Sequence, residues 1–292
     1  MQNKLKGTGV AMVTPFRNDD SIDFNALKKL TEHLVNGGAN FLVVMGTTGE
    51  NPTLSIQEQE TVLNYVSEIS ENKLPIVFGI GGNNTQAIIN RIKKTDFSNI
   101  TAILSAAPYY NKPTQKGLYI HYKTIAGASP VPVILYNVPG RTSVNISAET
   151  ILKLANDFEN IIAVKEASGD INQVMQIIKN KPDNFTVLSG DDTYTLPYIA
   201  LGMQGVISVT ANAYPEEFSQ MVNAALKFDI KTARELHYKL LDFTNALFSE
   251  GNPGGIKAAL EILGICKKYV RLPLASVSKE TYNKIQGLMK KI

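Results

Sequence analysis

The sequence contains few of the residues from which disulfides, metal sites and nucleic-acid-binding surfaces are built. Among 292 residues there are one cysteine, three histidines and no tryptophan. A single cysteine excludes an intrachain disulfide and favours a reducing compartment. The formal net charge is only +3, and the longest basic runs are pairs such as Lys267-Lys268. The sequence therefore does not predict a nucleic-acid partner.

Long apolar runs are missing as well. No stretch could span a bilayer, and residues 1–16 (MQNKLKGTGVAMVTPF) lack the apolar segment of a secretory signal peptide. Hydrophobic residues make up 44% of the chain and charged residues 19%, which is ordinary for a globular protein and argues against long disordered segments. We therefore expect a cytoplasmic protein without a membrane partner.

Short apolar runs recur along the chain and predict eight β-strands. They cover residues 10–14, 41–46, 76–80, 102–106, 133–137, 161–167, 186–191 and 205–209. Segments with helical spacing separate these runs, and Ser55 with Glu58 forms the capping-box pattern at the start of one of them. Strands that alternate with helices predict a parallel sheet, and eight regular units favour a closed (β/α)8 TIM barrel. An open doubly wound sheet is the alternative.

Three further helical segments follow the eighth unit, at about residues 230–249, 254–265 and 278–291. No linker rich in glycine, proline or serine precedes them, so we expect a helical extension that packs on the barrel. The predicted division places the barrel at residues 1–227 and the C-terminal helical extension at residues 228–292. The apolar surroundings of Cys266 predict a buried structural thiol.

Catalytic residues of such a barrel lie at the C-terminal ends of the strands and in the loops that follow them. Many of the polar residues there carry hydroxyls, and Lys165 and Arg141 are also among them. The three histidines lack the spacing of metal ligands, and Asp191-Asp192 precede a helical segment as a cap would, so we predict no metal. GIGGNNT has Asn84 where a dinucleotide loop needs its third glycine, and no phosphate loop or G-x-S-x-G motif occurs. We expect no cofactor.

Lys165 lies in an otherwise apolar strand, IIAVKEA, where an unpaired charge is costly to bury. Desolvation disfavours the charged form of an amine, and a neutral amine can attack a carbonyl to form a Schiff base. Glu166 should face the opposite side of the strand, because successive side chains alternate. Position alone leaves two alternatives open: a catalytic amine, or a lysine that extends to the barrel rim or pairs with a neighbour.

Three motifs, in this order, resemble the dihydrodipicolinate synthase family. They are GTTGE at 46–50, YNVPGRT at 136–142 and VKEASGD at 164–170. This is a family of lysine-dependent, pyruvate-utilising barrels, in one superfamily with N-acetylneuraminate lyase. The resemblance extends from GTGVAMVTPF to RLPL near residue 272, which is nearly the whole chain. It implies that Lys165 forms the Schiff base with pyruvate.

The resemblance also implies roles for other residues of these motifs. Thr48 is expected to bind the pyruvate carboxylate, and Thr47 to form a proton relay with Tyr136 and with Tyr110 of a neighbouring subunit. Imine formation and aldol addition both move protons, which a positioned acid–base group assists. Taken by residue type alone, such threonines are turn residues and such tyrosines are packing residues. Two more positions match backbone carbonyls that line the pocket of the family: Gly190 and Ile207.

Arg141 distinguishes between members of the superfamily. Its planar guanidinium suits bidentate binding of a carboxylate, and its motif position matches the residue that holds the carboxylate of aspartate 4-semialdehyde. The resemblance thus implies a lyase that condenses pyruvate with aspartate 4-semialdehyde in the diaminopimelate route to lysine, as a homotetramer made of two dimers. The alternatives are a Schiff-base aldolase for a sugar acid and a non-catalytic barrel that binds small acids.

Lysine-sensitive members of the family bind lysine near the loops after strands two and three. Asn83 and Tyr109 match positions that contact this effector. Ile56 and Gln59, however, replace histidines, and Ala87 replaces a glutamate that would pair with an ammonium group of the bound lysine. We therefore expect weak or absent inhibition by lysine.

Another carboxylate, such as Glu50 or Glu58, could compensate for the missing glutamate, in which case inhibition would be retained. The chain also has Gly255 where the family usually has proline. This position lies in the helical extension, so we expect the change to affect the start of a helix and not the chemistry.

Overall fold

The computed structural model describes residues 5–71 and 73–292 and contains a closed barrel of parallel strands. The strands are β1 (Gly7–Ala11), β2 (Phe41–Val44), β3 (Ile76–Gly79), β4 (Ala102–Ala106), β5 (Val133–Asn137), β6 (Ile161–Glu166), β7 (Thr186–Ser189) and β8 (Gly205–Ser208). Each strand pairs with the next, and β1 also pairs with β8, which closes the barrel. The predicted TIM barrel is confirmed, and the open sheet is wrong.

Helices lie in the connections between the strands and after β8. They are α1 (Phe24–Asn36), α2 (Ile56–Ile69), α3 (Thr85–Lys94), α4 (Gln115–Ala128), α5 (Pro139–Thr142), α6 (Ala148–Asp157), α7 (Ile171–Asn180), α8 (Thr195–Ala200), α9 (Pro215–Leu226), α10 (Ile230–Phe248), α11 (Gly254–Ile262) and α12 (Lys279–Met289). The predicted capping box is confirmed at α2, where the Glu58 N–H donates to Ser55 Oγ and the Ser55 N–H donates to the Glu58 carboxylate. This arrangement satisfies two backbone donors that a helix start leaves free.

Alternate residues of each strand face two different cores. Ala163 and Leu188 belong to the cluster inside the barrel, whereas Val164 and Val187 belong to the larger cluster that includes the helices. Because the alternation continues along β6, Lys165 faces the inside of the barrel and Glu166 faces the helices. The strand pattern therefore points Lys165 into the barrel, near its C-terminal rim.

The first strand was predicted at residues 10–14, and this position is wrong because β1 is Gly7–Ala11. Gly-Thr-Gly has low strand propensity, but tertiary packing outweighs it. A Cβ atom at Gly9 would lie 2.1 Å from the Phe41 ring, so only glycine allows β1 and β2 this close an approach. The other seven strands begin at the predicted residues and end there or up to two residues earlier.

The C-terminal extension consists of α10, α11 and α12, as the sequence predicted. Helix α11 ends at Ile262, three residues before the predicted end, and Gly255 lies in its first turn. Cys266 therefore follows the helix, and it is buried as expected, with burial raising the pKa of its thiol to about 12. The division at residue 227 stays a prediction. Within the described residues, no helix has the length and apolar character needed to cross a membrane.

Candidate active site

Lys165 and Tyr136 are register partners on the neighbouring strands β6 and β5. Both side chains are buried, and the Lys165 Nζ atom lies 4.4 Å from the centroid of the Tyr136 ring. Among the described residues, no carboxylate lies within ion-pairing distance of this amine. The lysine is only 5% exposed, so it neither extends into solvent nor pairs with a neighbour. Of the alternatives from the sequence, this geometry favours the catalytic amine.

Glu166 faces away from Lys165, as the strand alternation predicted. Its carboxylate accepts hydrogen bonds from the side-chain amides of Asn137 and Gln173 and from the Ser168 N–H. Burial raises the pKa of Glu166, and these donors oppose that effect by stabilising the ionised form. These contacts form a buried polar cluster that fixes the outer side of β6 directly behind Lys165.

Gly190 and Ile207 both lie close to the inner surface of the barrel. A Cβ atom at Gly190 would lie 3.1 Å from the Cε atom of Lys165 and 2.6 Å from the Ala167 Cβ atom. Only glycine therefore allows the end of β7 to pack against the lysine side chain. Ile207 in β8 is 1% exposed and belongs to the cluster inside the barrel. The structure thus brings Gly190 to Lys165 and places Ile207 in the same interior.

A cavity of about 300 Å³ opens beside Tyr136. Thr47, Tyr109 and Arg141 are among its lining residues. Thr47 lies in a 3-10 turn directly after β2, and Arg141 lies in the short helix α5, which begins at Pro139 directly after β5. A proline at this position suits a helix start, because its missing N–H would have had no partner there. Hydroxyl, phenol and guanidinium groups thus line one small cavity, and one of its lining residues, Tyr136, contacts the buried amine of Lys165.

Thr48 is buried, and its hydroxyl contacts a residue that sequence reasoning missed. The side-chain amide of Asn252 donates a hydrogen bond of 2.9 Å to Thr48 Oγ1. Asn252 belongs to the segment just before α11, 204 residues along the chain. A contact over this sequence distance leaves no local pattern. The motif NPGG at residues 252–255 is the only local feature of the sequence at this position.

Tyr110 lies outside this cavity in the single chain. Its side chain is 89% exposed, and its backbone φ is 75°, in the left-handed region that is uncommon for bulky residues. Tyr109, the preceding residue, lines the cavity instead. The structure therefore does not bring Tyr110 together with Thr47 and Tyr136 within one chain. Its contribution to a neighbouring subunit stays a prediction.

A buried ion pair joins the Thr47–Gly49 turn to the C-terminal extension. Glu50 directly follows the turn and pairs with Lys257 of α11, and both side chains are inaccessible to solvent. The second carboxylate oxygen of Glu50 accepts the Arg271 N–H at 2.9 Å, and the Arg271 guanidinium binds Glu58 with two hydrogen bonds. The extension is thereby fixed to the loop that carries Thr47 and Thr48. Sequence reasoning missed this network, although Lys257 in GGIKAAL is a lysine in an apolar segment, as Lys165 is.

A second cavity, of about 210 Å³, lies beside the loops after β2 and β3. Ile56, Gln59, Asn83 and Ala87 line it, together with Arg91, whose guanidinium donates to Gln59 Oε1 at 2.9 Å. Neither Glu50 nor Glu58 is among its lining residues, since both carboxylates bind groups of the extension. At the position where the resemblance predicts the effector, the residues that line this cavity thus include an arginine and no carboxylate.

The two aspartates of SGDD bind backbone groups. Asp191 accepts the Thr193 N–H at 2.9 Å, and Asp192 accepts the Val209 and Thr210 N–H groups at 2.9 and 2.8 Å. Burial raises the pKa of both carboxyl groups. In the part of the chain that the structure describes, no three His, Cys, Asp or Glu side chains are grouped so that they could hold a metal ion.

Comparison with known proteins agrees with this geometry. The model of the "Dihydrodipicolinate synthetase family" matches residues 4–292. The 4-hydroxy-tetrahydrodipicolinate synthase of Flavobacterium psychrophilum is 50% identical over 286 residues, which cover 98% of each chain. The crystal structure of dihydrodipicolinate synthase from Aquifex aeolicus has a TM-score of 0.95 at 42% identity and 98% coverage of both chains. The enzyme of Acinetobacter baumannii, solved as a complex with pyruvate, has a TM-score of 0.95 at 38% identity, again with 98% of both chains covered. The chain therefore belongs to the dihydrodipicolinate synthetase family.

Proposed function

We propose that the protein is a lyase that condenses pyruvate with aspartate 4-semialdehyde to give 4-hydroxy-tetrahydrodipicolinate, in the diaminopimelate route of lysine biosynthesis. The observation that carries this proposal is the buried amine of Lys165, which has no carboxylate partner and lies against the ring of Tyr136, a residue that lines one cavity with Thr47 and Arg141. The relatives named for the same synthase, which are about 50% identical over nearly the whole chain, support it.

The reaction begins at the nitrogen of Lys165. Its neutral amine attacks the C2 carbonyl of pyruvate, and loss of water gives an imine. Loss of a proton from the pyruvate methyl group gives an enamine, whose carbon attacks the aldehyde of the second substrate. The amino group of that substrate then attacks the imine carbon, which closes the ring and releases Lys165. The amine is regenerated in each cycle, so no cofactor is consumed.

Two kinds of polar group assist this chemistry. Thr48 binds the pyruvate carboxylate, and the backbone carbonyls of Gly190 and Ile207 complete the lining of the pyruvate pocket. Thr47 and Tyr136 transfer protons to and from the reacting oxygen and nitrogen atoms, for which a positioned acid–base group contributes about 10²–10⁴-fold. The positions of the two residues support this role, because Thr47 and Tyr136 line one cavity and Tyr136 contacts Lys165.

Arg141 selects the second substrate. It lines the cavity and is exposed, so its guanidinium can bind the carboxylate of aspartate 4-semialdehyde with two hydrogen bonds. A sugar acid presents hydroxyls at the corresponding distance from the aldehyde carbon and gains less from a guanidinium. Arginine at this position therefore favours the synthase over the sugar-acid aldolase.

The complete site includes Tyr110 from a second copy of the chain, and the assembly is a homotetramer of two dimers in the cytoplasm. A bulky exposed tyrosine held in left-handed backbone conformation supports this arrangement. Such a conformation costs about 1–3 kcal/mol and is retained where surrounding structure or function requires it. An exposed aromatic side chain also suits an interface more than a free surface.

The test is a comparison of substrates in one assay. Purified protein is given pyruvate with aspartate 4-semialdehyde, or N-acetylneuraminate or a 2-keto-3-deoxy acid in the cleavage direction. The proposal expects turnover with the first pair at a kcat/KM at least a hundredfold above that for any sugar acid. Faster cleavage of a sugar acid would support the aldolase, and no turnover of any substrate would support a binding protein.

A further inference from the structure

The Asn252 side chain is buried and makes a single hydrogen bond in the described part of the chain. Its Nδ2 atom donates to Thr48 Oγ1, while its Oδ1 atom is buried without a partner. A buried amide is costly where its groups are not hydrogen-bonded, so the contact that Asn252 does make is the one that fixes its orientation. Here the one contact of the amide is with the threonine proposed to bind pyruvate.

The direction of this hydrogen bond determines what Thr48 can do. A threonine hydroxyl carries one proton and two lone pairs. Because Asn252 donates, it occupies a lone pair of Thr48 Oγ1 and leaves the hydroxyl proton available. A carboxylate only accepts hydrogen bonds, so it needs that proton. If the neighbour of Thr48 accepted instead, the proton would be used within the protein and the hydroxyl would present only lone pairs to a carboxylate.

We propose that Asn252 is a positioning residue for pyruvate, which orients the Thr48 hydroxyl so that its proton points to the pyruvate carboxylate. This inference rests on the proposed function and deepens it. It assigns a role in substrate binding to the C-terminal extension, which otherwise contributes no residue to the site. Asn252 itself does not touch the substrate and acts through Thr48.

The surrounding contacts hold this pair in place. Glu50, two residues after Thr48, forms the buried ion pair with Lys257, five residues after Asn252. The same two segments are thus joined twice, once by the amide–hydroxyl contact and once by the ion pair. Arg271 adds its bonds to Glu50 and Glu58. The position of the amide is therefore fixed by contacts that do not depend on Thr48.

The test uses two substitutions with opposite hydrogen-bonding character. Asn252→Asp keeps the size of the side chain, but its carboxylate can only accept hydrogen bonds. The Thr48 hydroxyl would then donate to this carboxylate and not to pyruvate, and the substitution adds a negative charge near the substrate. Asn252→Ala removes the contact and leaves the hydroxyl free to rotate. We expect the KM for pyruvate to rise about three- to tenfold in Asn252→Ala and about a hundredfold in Asn252→Asp, in line with loss of a charge-assisted hydrogen bond.

Other kinetic constants separate positioning from a structural role. The kcat at saturating pyruvate and the KM for the semialdehyde should stay within about threefold of wild type, and in a Thr48→Val background Asn252→Asp should add little. Asn245, an exposed residue of α10, provides the matched control. Asn245→Asp and Asn245→Ala should behave as wild type. Thermal unfolding of each variant verifies that it is folded.

The outcomes distinguish this inference from the proposed function. Wild-type protein that forms no borohydride-trapped pyruvate adduct would overturn both. Wild type that forms the adduct, with Asn252 variants that keep the wild-type KM for pyruvate, would overturn the inference alone. A fall in kcat together with a similar rise in the KM for both substrates would also overturn the inference, because it would indicate a structural role for Asn252. Should Asn252→Asp not fold, Asn252→Ala decides by the same criterion.

Discussion

Lys165 and Tyr136 occupy matched positions on β6 and β5, and this register places the amine 4.4 Å from the centre of the phenol ring. The other deeply buried lysine, Lys257, differs in its partner, because it forms an ion pair with Glu50. A carboxylate stabilises the charged amine, whereas a ring gives a weaker attraction. Of these two lysines, only Lys165 lacks a carboxylate partner, and its neighbour Tyr136 lines the cavity of about 300 Å³.

Arg141 should determine the use of the second substrate without affecting the first. Arg141→Ala should lower kcat/KM for aspartate 4-semialdehyde about ten- to a hundredfold or more, since a charge-assisted contact contributes about 1.5–3 kcal/mol. Arg141→Lys should recover only part of this loss, because lysine lacks the planar fork. Imine formation with pyruvate alone should survive in both variants.

The control for this prediction is Arg234→Ala, which removes an exposed arginine of α10 that does not line the cavity. It should leave both substrates unaffected. If borohydride trapping with pyruvate fails in Arg141→Ala as badly as synthesis does, Arg141 has a structural role and the assigned selectivity is wrong.

Tyr110 should act in the site of a neighbouring subunit. Tyr110→Phe and Lys165→Ala should each lose most activity, and mixing the two under conditions of subunit exchange should restore part of it. Mixed dimers would contain one site with both residues intact. Exchange is verified by mass spectrometry of the mixed assembly. Absence of complementation after verified exchange, or a fully active monomer, would contradict a shared site.

Lysine should inhibit weakly or not at all. Loss of the carboxylate at Ala87 should weaken binding of an ammonium group about ten- to a hundredfold, and the Arg91 guanidinium in the same cavity repels it further. Initial rates against lysine concentration at subsaturating pyruvate test this, and half-inhibition at submillimolar lysine would contradict it. Ala87→Glu should raise sensitivity only in part, because Arg91 lies one helical turn away and would pair with the new carboxylate. Ala87→Glu with Arg91→Leu should raise it more.

The Arg271–Glu58 pair should stabilise the folded protein at neutral pH and lose this effect in acid. Its hydrogen bonds lower the pKa of Glu58 from 4.5 to about 2. Since the pKa is lower in the folded protein, the stabilisation is complete above about pH 4.5 and is lost as the pH falls toward 2. Glu58→Gln should lower Tm by about 1–3 °C at pH 7 and by less at pH 3. Glu68→Gln, at an exposed site of the same helix, is the control, and a Tm difference that does not depend on pH would refute the assignment.

Local patterns were sufficient to predict the barrel and its lysine. Seven strands began at the predicted residues because β-branched and aliphatic runs specify a strand buried on both faces. The position of β1 was predicted wrongly, because the packing of Gly9 on Phe41 that places this strand is a tertiary effect. The alternation of side chains correctly separated Lys165 from Glu166.

The contacts that complete the site could not be predicted in this way. Asn252 meets Thr48 across 204 residues, and Lys257 meets Glu50 across 207. Partners so far apart leave no periodic signal in either segment. A lysine between apolar residues in GGIKAAL could have indicated that a buried counter-charge was needed, though not which residue supplies it.

The most direct test of the account is to trap the imine. The protein is incubated with pyruvate and borohydride, digested, and its peptides are mapped by mass spectrometry. The account predicts one reduced pyruvyl adduct per chain, on Lys165, with Lys257 unmodified, and no adduct in Lys165→Arg, whose guanidinium stays protonated and cannot form the imine. An adduct on another lysine, or none in the wild-type protein, would contradict it.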